Sequence, residues 1–268
     1  QVGEVKLAYY TRGKGEPMLM IMGYAGSMSL WDPALVEELA KTNLLIMFDN
    51  RGIGLSTDSK ENHTTIPQMA DDAAGLVKAL GYKQINVLGW SMGARIAQQF
   101  LIRHPGLVIK GILCAPNPGG TAQVKAAKQT LEELNNPDLS VMGNIELLFP
   151  DNEAGKQAAK EAMARVNKAK ASGSIPDDFN VPKETKIRQD RARNALWDAD
   201  TQNYLDLKNL KMPVMVADGR FDILDVPKNS QIIANQIPFA WLAYFDGGHG
   251  FMYQQHKRFA ETVNAFMR

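Results

Sequence analysis

The stretch Gly89-Trp90-Ser91-Met92-Gly93 restricts the possible folds of this chain more than any other feature. It has the pattern G-x-S-x-G, it follows an apolar run of strand character at 84–88, and it precedes a helix-like segment at 94–102. A strand, a tight turn and a helix in this order form a nucleophile elbow, which strains the serine backbone and exposes its Oγ at the top of a sheet. Both glycines are expected because a Cβ at either position would clash with the neighbouring strand or helix. The pattern therefore predicts that Ser91 is a nucleophile.

Length and charge exclude several classes of protein. The chain of 268 residues is long enough for one large α/β domain, with or without an insertion. Its net charge is +1, with basic residues spread along the chain, which argues against nucleic-acid binding. No apolar run approaches the roughly 20 residues that span a bilayer, so we expect no membrane span. Residues 1–5 lack the basic-then-apolar pattern of a secretory signal, which makes a cytoplasmic location the default expectation.

Strand-like and helix-like segments alternate along most of the chain. A helix is predicted at 66–80, where apolar residues recur every three or four positions. Continuously apolar strands between helices indicate a mostly parallel sheet that is buried on both faces. Residues 118–197 are rich in Ala, Lys, Glu, Arg and Gln and contain no convincing strand. We therefore predict an α/β core made of residues 1–117 and 198–268, interrupted by a helical insertion at 118–197. The predicted strands are 17–22, 44–48, 84–88, 108–115, 213–217 and 240–245.

A serine nucleophile needs a general base, and histidine suits this role because its pKa lies near neutrality. Of the four histidines, His63 lies in a polar stretch, His104 at the end of the elbow helix, and His256 inside the last helix. His249 lies in a glycine-rich loop directly after the strand 240–245. On its own, such a histidine could equally be a helix-capping loop residue. Together with the elbow, its position predicts that His249 is the base.

The base in turn needs an acid that orients it, and this acid should follow another strand at the same edge of the sheet. Asp222 lies in the loop after the strand 213–217. Asp218 is so close to this strand that it could be a structural turn residue, and Asp225 could cap the following helix. We predict Asp222 as the acid, and the chain order of serine, aspartate and histidine agrees with the order known for such an elbow.

The oxyanion of a tetrahedral intermediate needs N–H donors that are already in position. The first predicted donor is the backbone N–H of Met92, which lies at a helix N-terminus with no carbonyl partner in the helix. The second is the backbone N–H of Tyr24, in the loop Gly23-Tyr24-Ala25-Gly26-Ser27 after the first apolar strand. The alternative is that Gly23 and Gly26 only form a turn.

Some other residues near these motifs have structural interpretations. We interpret Arg95, just after the elbow, as the partner of a structural ion pair and not as a substrate clamp. The basic residues of the helical insertion alternate with acidic ones, which indicates a solvated helix face. Cys114 is the only cysteine, which excludes an intrachain disulfide and a cysteine metal cluster. We expect neither a cofactor nor a metal ion.

These motifs together resemble those of the α/β-hydrolase superfamily, from one end of the chain to the other. The loop Phe48-Asp49-Asn50-Arg51-Gly52-Ile53-Gly54-Leu55-Ser56 is similar to a family segment, 213–227 resembles the family's acid loop, and Gly247-Gly248-His249-Gly250 resembles its histidine loop. The resemblance implies an α/β-hydrolase fold in which 118–197 forms a helical cap inserted after the sixth strand. It also favours Asp222 over the rival acids. One departure is Met22-Gly23, where many members have His-Gly.

The serine at the elbow narrows the implied chemistry. Family members that cleave carbon–halogen bonds or epoxides have an aspartate at this position, and dienelactone-type hydrolases have a cysteine. Ser91 therefore implies acyl transfer, and Trp90-Ser91-Met92 looks like the centre of small-molecule carboxylesterases and cofactor-free perhydrolases. The leading hypothesis is a serine esterase that acts on a small or medium, largely apolar carboxylic ester or lactone. The alternatives are C–C bond hydrolysis or perhydrolysis with the same triad, or a hydrolase-like ligand-binding protein with little turnover.

Overall fold

A seven-stranded, mostly parallel sheet forms the centre of the protein in a computed structural model, which describes residues 1–59, 64–134 and 141–268. The spatial order of the strands is β1-β3-β2-β4-β5-β6-β7. β1 pairs with β3 in antiparallel orientation, and every other neighbouring pair is parallel. The predicted fold class, an α/β fold with a mostly parallel sheet, is thereby confirmed. The strands are β1 (Tyr9–Arg12), β2 (Glu16–Ile21), β3 (Asn43–Phe48), β4 (Ile85–Trp90), β5 (Val108–Cys114), β6 (Val214–Gly219) and β7 (Ala240–Phe245).

Helices cover both faces of the sheet, because successive strand residues point to opposite faces. The helices are α1 (Pro33–Leu39), α2 (Ile66–Ala79), α3 (Met92–Arg103), α4 (Lys128–Leu134), α5 (Val141–Glu146), α6 (Glu153–Ala171), α7 (Lys183–Arg191), α8 (Trp197–Ala199), α9 (Gln202–Asp206), α10 (Pro227–Gln236), α11 (Phe251–Gln254) and α12 (His256–Met267). In β2, Leu19 and Ile21 pack into a cluster with α2, α3 and α10, whereas Met18 and Met20 pack into a second cluster with α1, α6, α11 and α12. A π-helical turn, Ala192–Leu196, joins α7 to α8.

The chain between β5 and β6 carries α4 to α9. Counted in chain order, this helical stretch follows the fifth strand of the sheet. The expectation that it follows the sixth strand is therefore wrong. The reason is that the residues before Tyr9 form only an isolated bridge between Val2 and Val5 and add no strand to the sheet. The stretch is joined to the rest of the protein by a charged pair, in which Arg165 Nε of α6 lies 2.8 Å from Asp32 Oδ1 at the start of α1.

None of the helices in the described part of the chain combines the length and the apolar character that crossing a membrane would require.

Candidate active site

Ser91 lies at the sharp turn between β4 and α3. Its φ of 58° and ψ of −123° are strained for a residue with a side chain. The turn is possible because the elements around it approach each other very closely. A Cβ on Gly89 would lie 2.2 Å from the carbonyl oxygen of Gly93, and a Cβ on Gly93 would lie 2.0 Å from that of Ile21. Glycine is therefore required on both sides of Ser91, as the sequence pattern indicated.

His249 and Asp222 form a direct and buried hydrogen bond. His249 Nδ1 lies 2.7 Å from Asp222 Oδ2, and both side chains are almost completely shielded from solvent. The other carboxylate oxygen, Asp222 Oδ1, accepts hydrogen bonds from the backbone N–H groups of Leu224 at 2.8 Å and Asp225 at 3.1 Å. Because a carboxylate only accepts, Nδ1 of the neutral imidazole carries the proton and Nε2 is left with its lone pair.

Two opposing effects act on the pKa of His249. Burial lowers it, because a charged imidazolium is poorly solvated inside the protein. The neighbouring charge of Asp222 and the hydrogen bond to it raise the pKa, and Asp225 adds to this effect. The net result is a pKa above the ordinary value of 6.5. The environment therefore stabilises the protonated imidazole, which is the form that a general base acquires during catalysis.

Trp90, the residue before Ser91, joins the elbow to the histidine loop. Its indole Nε1 donates a hydrogen bond of 2.9 Å to the backbone carbonyl of His249. The Trp90 and His249 rings also pack together, with centroids 5.6 Å apart. The elbow at the end of β4 and the loop after β7 are thus in direct contact, and Ser91 and His249 belong to the same side of the sheet.

The sequence predicted two backbone N–H groups, those of Met92 and Tyr24, near Ser91. Met92 is the first residue of α3, so its N–H has no carbonyl acceptor within the helix. Gly23 packs against the elbow so closely that a Cβ there would lie 3.2 Å from Ser91 Cβ. The loop from Gly23 to Gly26 does form a turn, closed by a hydrogen bond of 3.3 Å from Gly26 N to the Gly23 carbonyl. Tyr24 lies in this turn and directly follows Gly23, the residue that packs against Ser91.

The rival acids have other partners. Asp218 accepts hydrogen bonds from Ser230 Oγ at 2.6 Å and from the Gly219 N–H at 2.8 Å. Asp225 pairs with Arg95, the residue for which the sequence indicated a structural ion pair. Asp225 does not cap α10, whose N-cap is Val226. In the described parts of the chain, only Asp222 among these three carboxylates is hydrogen-bonded to His249.

The other histidines lie away from this arrangement. His104 ends α3, and its Nε2 lies 2.7 Å from Asp71 Oδ1. His256 begins α12. His63 lies outside the described residues.

Two residues of the helical stretch contact the Tyr24 loop, and sequence reasoning missed both. Gln189 Oε1 of α7 accepts a hydrogen bond of 2.9 Å from the Ala25 N–H. The Arg193 guanidinium lies 4.0 Å from the centroid of the Tyr24 ring. Gln189 and Ala25 are 164 positions apart in the chain, so no local pattern could have linked them.

Several known proteins resemble this chain in sequence. A relative from Mycobacterium tuberculosis, provisionally named non-heme bromoperoxidase BpoC, is 41% identical over 112 residues, which cover 41% of this chain and 42% of the relative. The chain thus matches less than half the length of that relative. A protein from Caulobacter sp., provisionally named carbamate hydrolase RutD, is 25% identical over 258 residues, which cover 94% of this chain and 90% of the relative.

A solved structure and a family model extend the similarity to most of the chain. The structure is an alpha/beta hydrolase fold protein from Chitinophaga pinensis, with a TM-score of 0.85 and 25% identity over 100% of this chain and 95% of the other. The model described as the alpha/beta hydrolase fold matches residues 16–255. This protein therefore belongs to the alpha/beta hydrolase family.

Proposed function

We propose that the protein is a serine hydrolase that cleaves a small or medium, largely apolar carboxylic ester or lactone through an acyl-enzyme on Ser91. The observation that carries this proposal is the buried hydrogen bond between His249 Nδ1 and Asp222 Oδ2, in a loop that contacts the residue before Ser91. An imidazole that a carboxylate orients in this way keeps Nε2 available as a general base. The strained backbone of Ser91 supports its role as the nucleophile.

In the proposed reaction, Ser91 Oγ attacks the substrate carbonyl carbon while His249 Nε2 accepts the hydroxyl proton. The negative charge that develops on the carbonyl oxygen is stabilised by the N–H groups of Met92 and Tyr24. The intermediate then collapses, the imidazolium gives its proton to the leaving alcohol, and an acyl-enzyme remains. Water, deprotonated by His249, attacks the acyl carbon, and a second collapse returns the proton to Ser91 and releases the acid.

We further propose that residues 118–197 act as a cap over the site. Two contacts support this role. The Leu148 carbonyl accepts a hydrogen bond of 2.6 Å from the N–H of Gly250, next to His249, and Gln189 contacts the loop of Tyr24. The helical stretch thus contacts the residues next to the proposed base and next to the second proposed oxyanion donor, and its packing would set the shape of the substrate site.

A second candidate is cofactor-free perhydrolysis, in which hydrogen peroxide replaces water in the second half of the reaction. The similarity to a relative that is provisionally named as a non-heme bromoperoxidase favours this candidate, although the match covers only 112 residues. The two reactions share the acyl-enzyme on Ser91 and differ only in the nucleophile that resolves it.

The test combines active-site labelling with a substrate series. The protein and a Ser91→Ala variant are treated with a fluorophosphonate probe and assayed with p-nitrophenyl esters from acetate to octanoate. We expect labelling and hydrolysis in the wild type, and neither in the variant. Adding acetate, peroxide and bromide then measures perhydrolysis. A wild type that resists the probe and hydrolyses no ester would be a ligand-binding protein of this fold, and the proposal would be wrong.

A further inference from the structure

Gln189 makes the contact between the helical stretch and the loop that carries the second proposed oxyanion donor. Its side chain is completely buried, and its Oε1 accepts a hydrogen bond of 2.9 Å from the Ala25 N–H. Four positions later, Arg193 places its guanidinium 4.0 Å from the centroid of the Tyr24 ring. Gln189 and Arg193, which lie on successive turns of the helical stretch, thus contact the neighbouring residues Ala25 and Tyr24.

The loop needs such support because part of it is strained. Ala25 has a φ of 52°, in the left-handed region that residues with a Cβ seldom adopt. Strain of this kind persists only when the surroundings hold the backbone in place. The Ala25 N–H is held by Gln189, and Ala25 directly follows the amide that is proposed to bind the oxyanion. Gln189 is therefore well placed to fix the orientation of the Tyr24 N–H.

The other half of the Gln189 amide has no acceptor among the residues that the structure describes. Since Oε1 faces the Ala25 N–H, Nε2 is the donor end of the group. Nε2 is buried and has no hydrogen-bond partner in the described parts of the chain. A buried N–H₂ without an acceptor is unfavourable, and a bound molecule that brings an acceptor would remove this cost.

The surroundings favour an uncharged acceptor. Arg193, which also contacts the Tyr24 loop, pairs its Nη2 with Asp190 Oδ1 at 2.7 Å, so its charge is balanced. Ether, hydroxyl and keto oxygens accept hydrogen bonds without adding charge, unlike a carboxylate, which would be costly to bury here.

We propose that Gln189 is a positioning residue for the Tyr24 amide and that its Nε2 donates a hydrogen bond to the bound acyl group. The preferred substrates are then esters whose acyl chain carries an ether, hydroxyl or keto oxygen near the scissile carbonyl. This inference rests on the proposed function, because it assumes an acyl group on Ser91.

Substrates of equal shape test the role of Nε2. In p-nitrophenyl methoxyacetate, an ether oxygen replaces one CH₂ of p-nitrophenyl butanoate, and 3-methoxypropanoate stands in the same relation to pentanoate. The kcat/KM ratio of each pair is divided by the ratio of their hydroxide-catalysed rates, which removes intrinsic reactivity. For the wild type we expect a residual preference of about 3- to 10-fold for at least one ether, as one hydrogen bond provides.

The Gln189→Met variant separates the two roles of the side chain. The variant removes the acceptor for the Ala25 N–H. Because an oxyanion donor acts in the transition state, kcat on p-nitrophenyl butanoate should then fall about tenfold or more, while KM should stay within about twofold of the wild-type value. Because the variant also removes the donor, the ether preference should disappear. The control is Gln157→Met on α6, which makes the same chemical change at an exposed side chain that is hydrogen-bonded to Glu161.

The outcomes distinguish this inference from the proposed function. If the wild type hydrolyses no ester, the proposed function is wrong. If it hydrolyses esters but shows no residual ether preference in either pair, the donor role is wrong, and this result does not depend on a folded variant. If Gln189→Met keeps the kcat of the wild type on butanoate, the positioning role is wrong.

Discussion

Arg95 and Asp225 form a buried ion pair, in which Arg95 Nη2 lies 2.9 Å from Asp225 Oδ1 and 3.1 Å from Asp225 Oδ2. The pair joins the elbow helix α3 to the loop that carries Asp222, whose Oδ1 accepts a hydrogen bond from the Asp225 N–H. Burial, the largest single effect, raises the pKa of Asp225, but the charge of Arg95 and the smaller effects of His249 and Asn117 together outweigh it, and the net pKa is lowered. Asp225 is therefore ionised and depends on its partner.

Removal of the Arg95 charge should destabilise the folded protein. The Arg95→Met variant keeps most of the side-chain volume but leaves a buried carboxylate without its ion pair, so we expect a loss of about 3–5 kcal/mol in the free energy of unfolding. Urea denaturation followed by tryptophan fluorescence measures this loss. The matched control is Arg103→Met on the same helix, whose pair with Asp71 is exposed and contributes about 1 kcal/mol or less. Equal losses in both variants would contradict the structural role of Arg95.

The proposed roles of Asp222 as the acid and His249 as the base predict both a rate effect and a pH effect. The base must be neutral to accept a proton, so kcat/KM should fall as the pH drops through the raised pKa of His249, above the ordinary 6.5. Without the Asp222 charge this pKa falls, so the acidic limb of the Asp222→Asn variant should move to lower pH. Its kcat should decrease by about 10⁴, as with other triad aspartates. A pH–rate profile with a p-nitrophenyl ester measures both effects.

Asp218 provides the control for this prediction. Burial and the neighbouring Asp222 charge raise the pKa of Asp218 well above its usual range, which favours the neutral form of its carboxyl. Asparagine has the same shape as the neutral acid, and Asp218→Asn should leave both kcat and the acidic limb close to those of the wild type. If Asp218→Asn abolished activity and Asp222→Asn did not, the acid would have to be reassigned.

The sequence was sufficient for those parts of the site that follow from strand order. Asp222 and His249 come directly after β6 and β7, which are adjacent and parallel, so their loops meet at one edge of the sheet. The elbow was also predictable, since close approach to Ile21 and Gly93 excludes every residue but glycine. β1 was not predicted, because this short edge strand is mostly exposed and has no apolar run.

The contact between Gln189 and Ala25 could not be predicted for a different reason. It depends on how α7 packs against the loop after β2, and no sequence pattern in either segment predicts contact with the other. Such contacts are set by tertiary packing and not by periodicity. The same argument applies to Arg95, whose charge indicated an ion pair but not whether its partner would be on the acid loop.

The close packing at the elbow makes a third prediction. In Gly93→Ala the new methyl group would meet the Ile21 carbonyl at 2.0 Å, and backbone on both sides would have to move. We expect a loss of about 3 kcal/mol or more in the free energy of unfolding, measured by urea denaturation, and a large decrease in activity. The control is Gly106→Ala, because a Cβ there has no atom within 4 Å. Its stability should stay within about 0.5 kcal/mol of the wild type. Similar losses in both variants would contradict the packing argument.

The buried carboxyl group of Asp49 makes stability depend on pH. Burial and, to a lesser extent, the nearby Asp178 charge raise the pKa of Asp49 from 3.8 to about 7, against the hydrogen bonds from the N–H groups of Met28 and Leu55. The folded state therefore binds more protons than the unfolded chain between these two values, and this contribution to stability is lost as the pH rises towards 7.

The Asp178→Asn variant tests this coupling. Without the Asp178 charge, less free energy is lost on ionising Asp49. The stability of the variant relative to the wild type should therefore increase as the pH rises from 5 to 8. A gain on the order of 1 kcal/mol is expected, since one pKa unit corresponds to about 1.4 kcal/mol. Thermal denaturation at both pH values measures it. The control is Asp177→Asn, because the Asp177 side chain is 85% exposed and its removal should not change the pH dependence. If Asp178→Asn lost as much stability as the wild type over this range, the two carboxyl groups would not be coupled.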